Sequence, residues 1–385
     1  MAIGLPDGSR GGEVGPPGFG PDPKREPNMS GLVKGVETWL VPVKLQQLYK
    51  GYSLSEVTLA DIVMPHTFLA SLARLADVIY KTGTVRSHST PGSKQDKDLQ
   101  AALRSQFGNY GFLRRFDAAT GMAFETKGPF GAVVATCVLP GQDNDVPLTG
   151  HVHPFQPRYR IYVVFRGTSP GKLYWDDIST DLKAASLNLD NPLGSKSGTL
   201  ARGFLNTYMS CRHDVAKFVN EAATYLQAEF RKYAEGFASR FGPGTFGLEG
   251  KLPLDQIQLY VVGHSLGGAV ATICAYDLAF TAVRFVRPVL VTFGSPAVGN
   301  IDFAIDFQKM LVEGENRYHP CTGYLRSIRV VAQTAAKNED VVTKTDRLPN
   351  FIHVNSRLTL TTEASNRIAA HSMSDSYTRA LEKLQ

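Results

Sequence analysis

Short apolar runs and stretches with helical spacing take turns along this chain. The strand-sized runs are GAVVATCVL (131–139), YRIYVVFRG (159–167), QIQLYVVG (256–263), PVLVTFG (288–294) and YLRSIRVV (324–331). Helical periodicity covers 57–80 with a break near Met64 and Pro65, then 206–235, 266–283, 301–312 and a last segment from about Ser372. This alternation predicts βαβ units and a mostly parallel central sheet flanked by helices.

The start of the chain has a different composition. Residues 1–28 are rich in glycine, proline and charge and contain no apolar core of the Sec-type signal peptide. We predict a flexible tail there and a single domain over 29–385. No apolar run approaches the roughly 20 residues of a membrane-spanning helix, so the sequence predicts a chain without such a helix, cytoplasmic or exported without a Sec-type signal.

Charge and cysteine content narrow the choice of partners. The net charge of +6 reflects 41 basic against 35 acidic residues, a mild excess typical of a solvated surface. Basic and aromatic residues do not interleave as in a nucleic-acid platform, so no nucleic-acid partner is predicted. The four cysteines have no metal-ligand spacing and are predicted to be buried thiols. We therefore predict no metal and no organic cofactor, and the oligomeric state stays open.

The most informative motif is the pentapeptide Gly263-His264-Ser265-Leu266-Gly267, of the form G-x-S-x-G. It lies between a predicted buried strand and a predicted helix. In such a turn the serine is pushed above the sheet, and small neighbours let the two elements approach each other. The N-terminus of the following helix stabilises negative charge that develops beside the serine. The motif therefore predicts that Ser265 is a nucleophile.

A nucleophilic serine needs a histidine as base and a carboxylate that orients the histidine. In the usual order of serine, acid and histidine, both follow the nucleophile. Three histidines do so, and we favour His371, preceded by small residues, over His353 in the apolar FIHV and His319 in a loop. For the acid we favour Asp340, which follows a predicted strand, and Asp346 is its competitor in the same loop.

The oxyanion formed in acyl transfer requires two preorganised donors. One is expected to be the backbone N–H of Leu266, directly after the nucleophile. The other should come from YVVFRGTS (162–169), which ends a strand with Gly167-Thr168, where glycine permits an unusual turn and Thr168 can direct its N–H into the site. Taken alone, this second feature is equally a strand that ends in a turn.

Several motifs in order resemble the class 3 (fungal-type) lipase family. They are YVVFRGT (162–168), GFLNTY (203–208), VGHSLGG (262–268), TFGSPAVGN (292–300), Asp340-Val341-Val342, and His371 with Tyr377. The resemblance covers roughly 160–380 and implies an α/β-hydrolase fold, a triad of Ser265, Asp340 and His371, and an oxyanion donor at Thr168. The family usually has D-x-V-P after the aspartate. This chain has Thr343 in place of that proline, which keeps Asp346 in contention.

The family usually carries a helical lid between the oxyanion turn and GFLNTY. Here the segment contains Tyr174, Trp175, Ile178 and Leu182 among polar residues, which is typical of an amphipathic segment with one apolar face and one solvent-exposed polar face. It is interpreted either as a lid or as an amphipathic loop packed permanently on the core.

The resemblance implies hydrolysis of lipid or other carboxylic esters, at a lipid–water interface if the lid moves. A lipase acting on acylglycerols is the main hypothesis. Phospholipase A1 and short-chain carboxylesterase are the alternatives, because no motif identifies the acyl pocket. Two further classes stay open: a catalytically silent lipid-binding relative, and a serine peptidase or acyltransferase on the same scaffold.

Overall fold

The computed structural model describes residues 56–57, 64–83, 110–120, 127–139, 157–167, 198–242, 251–281, 288–312, 326–343, 351–354 and 356–384, with a few positions between 94 and 104. The predicted tail and lid, Thr168, His319 and Asp346 lie outside these residues. The division into a tail and one domain stays a prediction.

In the described part of the chain, eight strands form one sheet. They are β1 (Glu56–Val57), β2 (Tyr110–Ala119), β3 (Lys127–Val138), β4 (Arg158–Phe165), β5 (Ile257–His264), β6 (Val289–Phe293), β7 (Ser327–Thr334) and β8 (Ser356–Thr362). Their order across the sheet is β1-β8-β7-β6-β5-β4-β3-β2. The strands β1, β8, β7, β6, β5 and β4 pair in parallel with their neighbours. At the other end of the sheet, β3 pairs antiparallel with β4, and β2 pairs antiparallel with β3. Every residue of β4, β5 and β6 is buried, which explains their nearly continuous apolar sequences.

Helices cover both faces of the sheet. Those in the described residues are α1 (His66–Gly83), α2 (Arg202–Phe241), α3 (Leu266–Thr281), α4 (Ile301–Phe307) and α5 (Arg379–Glu382), with 3₁₀ turns at Leu254–Gln256 and Ala369–His371 and π-helical turns at Gln308–Val312 and Met373–Thr378. One core layer lies between the sheet and α1 with the C-terminal turns. The other lies between the sheet and α2, α3 and α4. No helix in the described part of the chain has the length and apolar character needed to cross a membrane.

Three strands differ from the sequence prediction. The apolar runs did not predict β2 and β8, because polar residues interrupt the apolar ones along both strands (FLRRFDAA and SRLTLTT). The prediction placed Val57 in a helix, whereas Val57 belongs to the short edge strand β1 beside β8. The helix itself begins after Pro65, where the periodicity breaks.

Candidate active site

Ser265 lies in the turn between β5 and α3, as predicted. Its φ of 55° is in the left-handed region, which non-glycine residues seldom adopt, and its N–H donates to the Phe293 carbonyl of the neighbouring strand at 3.0 Å. The turn is tight: a Cβ on Gly263 would lie 2.2 Å from the Gly267 carbonyl oxygen. A Cβ on Gly267 would lie 2.3 Å from the Arg166 carbonyl oxygen. The two glycines are therefore required by close approach of the backbone.

Ser265, His371 and Asp340 form one hydrogen-bonded chain. The Ser265 Oγ lies 2.8 Å from His371 Nε2, and His371 Nδ1 lies 2.7 and 2.8 Å from the two Asp340 carboxylate oxygens. An ionised carboxylate accepts, so Nδ1 carries the proton and Nε2 is free to accept from the serine hydroxyl. The structure thus brings together the three residues favoured by sequence, in the tautomer that a general base requires.

The Asp340 carboxylate is fully buried and is held by two further donors. Val342 N–H donates to Oδ1 at 2.8 Å, and Tyr377 O–H donates to Oδ2 at 2.5 Å. The Tyr377 oxygen accepts in turn from the Ala332 N–H at 3.1 Å. Burial and the nearby Asp340 charge raise the pKa of Tyr377 well above its usual value, so the phenol keeps its proton. Both oxygens of the buried carboxylate thus have hydrogen-bond donors, as a buried polar group requires.

The backbone after β7 places Asp340 at the carboxyl end of the sheet. The chain turns back through Lys337, whose φ is 59°, and the Asp340 N–H donates to the Ala332 carbonyl at 2.8 Å. Gly294, at the end of β6, has a φ of 57° and leaves room beside the carboxylate: a Cβ there would lie 2.7 Å from Asp340 Oδ2 and 3.0 Å from His371 Nδ1. The acid and the histidine therefore pack directly against the glycine of the TFGSP motif.

Removal of the Tyr377 hydroxyl should weaken the acid's hold on His371. We expect Tyr377→Phe to lower kcat for ester hydrolysis roughly tenfold while the protein stays folded, because one hydrogen bond to a buried charge is lost and the ring remains. The loss is measured with a soluble ester beside thermal unfolding. A variant with wild-type kcat would show that Val342 N–H and His371 suffice to orient the carboxylate.

Of the two expected oxyanion donors, one lies within the described part of the chain. Leu266 is the first residue of α3, so its N–H has no acceptor within the helix and lies beside Ser265. Gly167, the residue before Thr168, packs on the nucleophile: a Cβ on it would lie 3.1 Å from the Ser265 Cβ. The φ of Gly167 is not in the left-handed region, so the unusual turn predicted there is not what requires glycine. Glycine is required because the backbone at position 167 packs closely on Ser265 and His264. The position of Thr168 as a donor stays a prediction.

His353, a less favoured candidate for the base, makes a buried hydrogen bond to the backbone. Its Nε2 donates to the Thr343 carbonyl at 2.9 Å and its imidazole is buried. Burial, with Arg329 nearby, lowers its pKa well below the usual value. Burial also lowers the pKa of His264, in the nucleophile turn, to about 3, with His371 as the second cause. Both histidines are therefore neutral in the folded protein near pH 7.

These two histidines predict acid sensitivity of the fold. In the unfolded chain each takes up a proton near pH 6.5, whereas in the folded protein neither does until much lower pH. The free energy of unfolding should therefore fall as pH drops below about 6.5 toward 3, by up to about 1.4 kcal/mol per pH unit for each histidine. Urea unfolding at pH 7.5, 6 and 5 measures it.

The variant His353→Gln, which keeps a donor but does not titrate, is the matched control and should show a shallower fall. Unfolding free energies that stay constant or rise from pH 7.5 to pH 5 would contradict the assignment of both histidines as neutral.

Within the described residues, no group of three or more histidine, cysteine, aspartate or glutamate side chains is arranged to hold a metal ion. The arrangement of Ser265, His371 and Asp340 instead suits proton transfer to and from a nucleophilic hydroxyl. Sequence reasoning noted Tyr377 only as part of a motif and gave His264 no role. For Tyr377, its place six residues after His371 was the available signal. For His264, nothing in the sequence indicated a role.

Comparison with known proteins places the chain among lipases. The family model described as "Lipase (class 3)" matches residues 162–355, which are 194 of the 385 residues. "Lipase ZK262.3" of Caenorhabditis elegans is 28% identical over 167 residues, covering 43% of this chain and 37% of that protein. "Phospholipase A(1) DAD1, chloroplastic" of Arabidopsis thaliana is 29% identical over 151 residues, covering 37% and 28%. The chain thus matches about a third of the length of these curated relatives.

Solved structures of fungal lipases are also similar to this chain. Lipase II from Rhizopus niveus shares 19% identity over 77% of this chain and 80% of that one, with a TM-score of 0.43. A structure titled as a triacylglycerol lipase with a serine protease triad shares 19% identity over 76% and 79%, with a TM-score of 0.41.

The family match extends from β4 through the nucleophile turn to the loop that carries Asp340. The parallel strands from β4 to β8, with Ser265 after β5, Asp340 after β7 and His371 after β8, have the arrangement of the predicted α/β-hydrolase fold, which is confirmed. Family model and fold agree with the motifs found in the sequence: the chain belongs to the class 3 lipase family.

Proposed function

We propose that this protein hydrolyses carboxylic esters of lipids, acylglycerols foremost, through an acyl-enzyme formed on Ser265. The observation that carries the proposal is the unbroken hydrogen-bonded chain from the Ser265 hydroxyl through His371 to the buried Asp340 carboxylate. Such a chain activates a serine hydroxyl that is unreactive alone. Membership of a lipase family supports esters of lipids as the substrate class.

In the first step, the Ser265 oxygen forms a bond to the ester carbonyl carbon while its proton passes to His371 Nε2. The carbonyl electron pair moves to the oxygen, and the N–H groups of Leu266 and Thr168 receive this oxyanion. Asp340 stabilises the imidazolium through its bond to Nδ1. When the tetrahedral intermediate collapses, the alcohol leaves with the proton from Nε2 and the acyl group stays on Ser265.

Water then attacks the acyl-enzyme by the same two steps. His371 takes a proton from water, the hydroxide oxygen bonds to the acyl carbon, and collapse returns the proton to Ser265 as the carboxylic acid departs. These steps require water and residues of the chain itself. They balance in atoms and charge with no other reactant.

Phospholipase A1 activity is the second candidate. Several curated relatives carry that name, including "Phospholipase A1-Igamma1, chloroplastic" of Arabidopsis thaliana at 30% identity over 170 residues. The triad serves both reactions, so the difference between them lies in the residues that contact acyl chain and head group. We propose that Tyr174, Trp175, Ile178 and Leu182 belong to such a segment, as a lid that exchanges its contacts with the core for contacts with lipid.

A substrate panel tests the proposal. Purified protein is assayed on p-nitrophenyl esters of increasing acyl length, emulsified triacylglycerol, phosphatidylcholine vesicles, and an amide of matched structure, with Ser265→Ala as the control for contaminating activity. We expect hydrolysis of the esters, strongest on acylglycerol, and none by the control. Faster release of the sn-1 fatty acid from phosphatidylcholine than of fatty acid from acylglycerol would support the second candidate. Absence of hydrolysis on every ester would contradict both.

A further inference from the structure

His264 links the nucleophile turn to the backbone of the catalytic histidine. It is the last residue of β5 and directly precedes Ser265, and its buried side chain points back toward the C-terminal turns. Its Nε2 lies 2.9 Å from the carbonyl oxygen of His371. A carbonyl oxygen can only accept, so the His264 Nε2 carries the proton and donates it. The two imidazole rings lie 4.8 Å apart, inclined by 32°.

The second nitrogen of His264 fits the neutral form of the ring. Nδ1 is buried and has no hydrogen-bond partner among the described residues. It lies against Gly167, on which a Cβ would approach it to 3.0 Å. A proton on Nδ1 would place a buried donor against backbone that offers it no acceptor, which is costly. The neutral tautomer with Nε2 protonated satisfies the bond to His371 and leaves Nδ1 as a bare lone pair.

The groups around His264 also favour its neutral form. His371 faces it from the 3₁₀ turn and Asp340 lies beyond His371, while Tyr80 of α1 and Tyr377 of the π-helical turn contact its ring edge-on. Burial and His371 together outweigh the attraction of Asp340, which is why the pKa of His264 falls to about 3. His264 therefore adds no positive charge beside the imidazolium that His371 becomes during catalysis.

We propose that His264 is a positioning residue for the proposed ester hydrolysis: its Nε2–H fixes the backbone of His371 against β5, so that His371 Nε2 stays aligned with the Ser265 hydroxyl. The inference rests on the proposed function. The turn that carries His371 has local bonds of its own, from Ala370 N–H to Asn366 and from Ser376 Oγ to Ala369. These bonds shape the turn, whereas the bond from His264 ties it to the strand that ends at the nucleophile.

Two substitutions separate positioning from packing. His264→Gln keeps a neutral donor at the distance of Nε2, and His264→Leu keeps apolar volume without a donor. We expect kcat on a soluble ester to fall ten- to a hundredfold in the leucine variant with KM within twofold, and to stay within about threefold of wild type in the glutamine variant. Thr272→Val is the matched control, because it removes another buried bond, from Thr272 Oγ1 to the Gly268 carbonyl at 2.9 Å. It should retain wild-type kcat.

Nuclear magnetic resonance of the wild-type chain with ¹⁵N-labelled histidine gives a readout that needs no substrate and no variant. It should show His264 protonated at Nε2 and unprotonated at Nδ1, without change between pH 8 and pH 5. Because the proposal requires this protonation pattern, a different pattern would overturn it even where the leucine variant does not fold.

Three results would overturn the inference: wild-type kcat in a folded leucine variant, equal losses in the glutamine and leucine variants, or titration of His264 with a midpoint above pH 5. A wild-type chain that shows the expected nitrogen pattern but hydrolyses no ester would contradict the proposed function and leave the histidine contact intact.

Discussion

Ser265→Ala is expected to lower kcat for ester hydrolysis by a factor on the order of 10⁴ or more, because it removes the hydroxyl that is bonded to His371 Nε2 and that forms the acyl-enzyme. The fold should persist. Alanine loses one oxygen, opens no sizeable cavity and meets the φ of 55° no worse than serine does, so the free energy of unfolding should change by at most about 1 kcal/mol. Activity is measured on a soluble ester and stability by urea unfolding.

Residual activity within tenfold of wild type would remove Ser265 from the mechanism. A large loss of stability in the same variant would instead mean that lost activity reflects an unfolded protein. Stability and activity are therefore measured on one preparation.

Asp340→Asn should lower kcat by about 10⁴-fold, the loss that follows when the aspartate of a serine-protease triad becomes asparagine. The physical reason is visible in the site. Three donors converge on the carboxylate, from His371 Nδ1, Tyr377 O–H and Val342 N–H. An amide offers one oxygen and turns an NH₂ group toward these donors, so His371 loses its tautomer and the imidazolium its counter-charge. A stability cost of about 1–3 kcal/mol is also expected, since buried donors lose acceptors.

Asp346→Asn is the matched comparison for the acid. It lies six positions later, outside the described residues, and we expect it to keep activity within a few-fold of wild type, because Asp340 already bonds His371 Nδ1 through both carboxylate oxygens. A severe loss in Asp346→Asn with a mild one in Asp340→Asn would transfer the role to Asp346. Mild effects in both would require an orienting acid elsewhere in the chain.

The parallel core of the fold could be predicted from sequence because its strands are buried on both faces. Such strands read as continuous apolar runs, as in QIQLYVVG, and all residues of β5 are indeed buried. Strands β2 and β8, toward the two ends of the sheet, could not be found this way. In β8 buried residues alternate with more exposed ones, and β2 pairs with β3 alone, so neither carries a long apolar run. Alternation with a period of two is the signal for β8, whereas two register irregularities interrupt β2 and leave it without a regular pattern.

In the candidate site, too, some residues could be predicted from the sequence and others could not. Ser265, Asp340 and His371 were predictable because each belongs to a motif, and chain order restricts which acid and base can follow the nucleophile. The groups that hold them depend on contacts between distant segments. Tyr377 reaches Asp340 across 37 positions, and His264 reaches the His371 backbone across 107. A single sequence contains the residues but not their pairing.

Covalent labelling shows whether Ser265 is an activated nucleophile, since a fluorophosphonate reacts with a serine hydroxyl that its site has activated. The wild-type chain is incubated with the probe and digested, and the modified peptide is identified by mass spectrometry, with Ser265→Ala and heat-denatured protein as controls. We expect one adduct, on Ser265, that neither control forms. A folded wild-type chain that stays unlabelled, or an adduct on another residue that persists in Ser265→Ala, would contradict the assignment of Ser265 as the nucleophile.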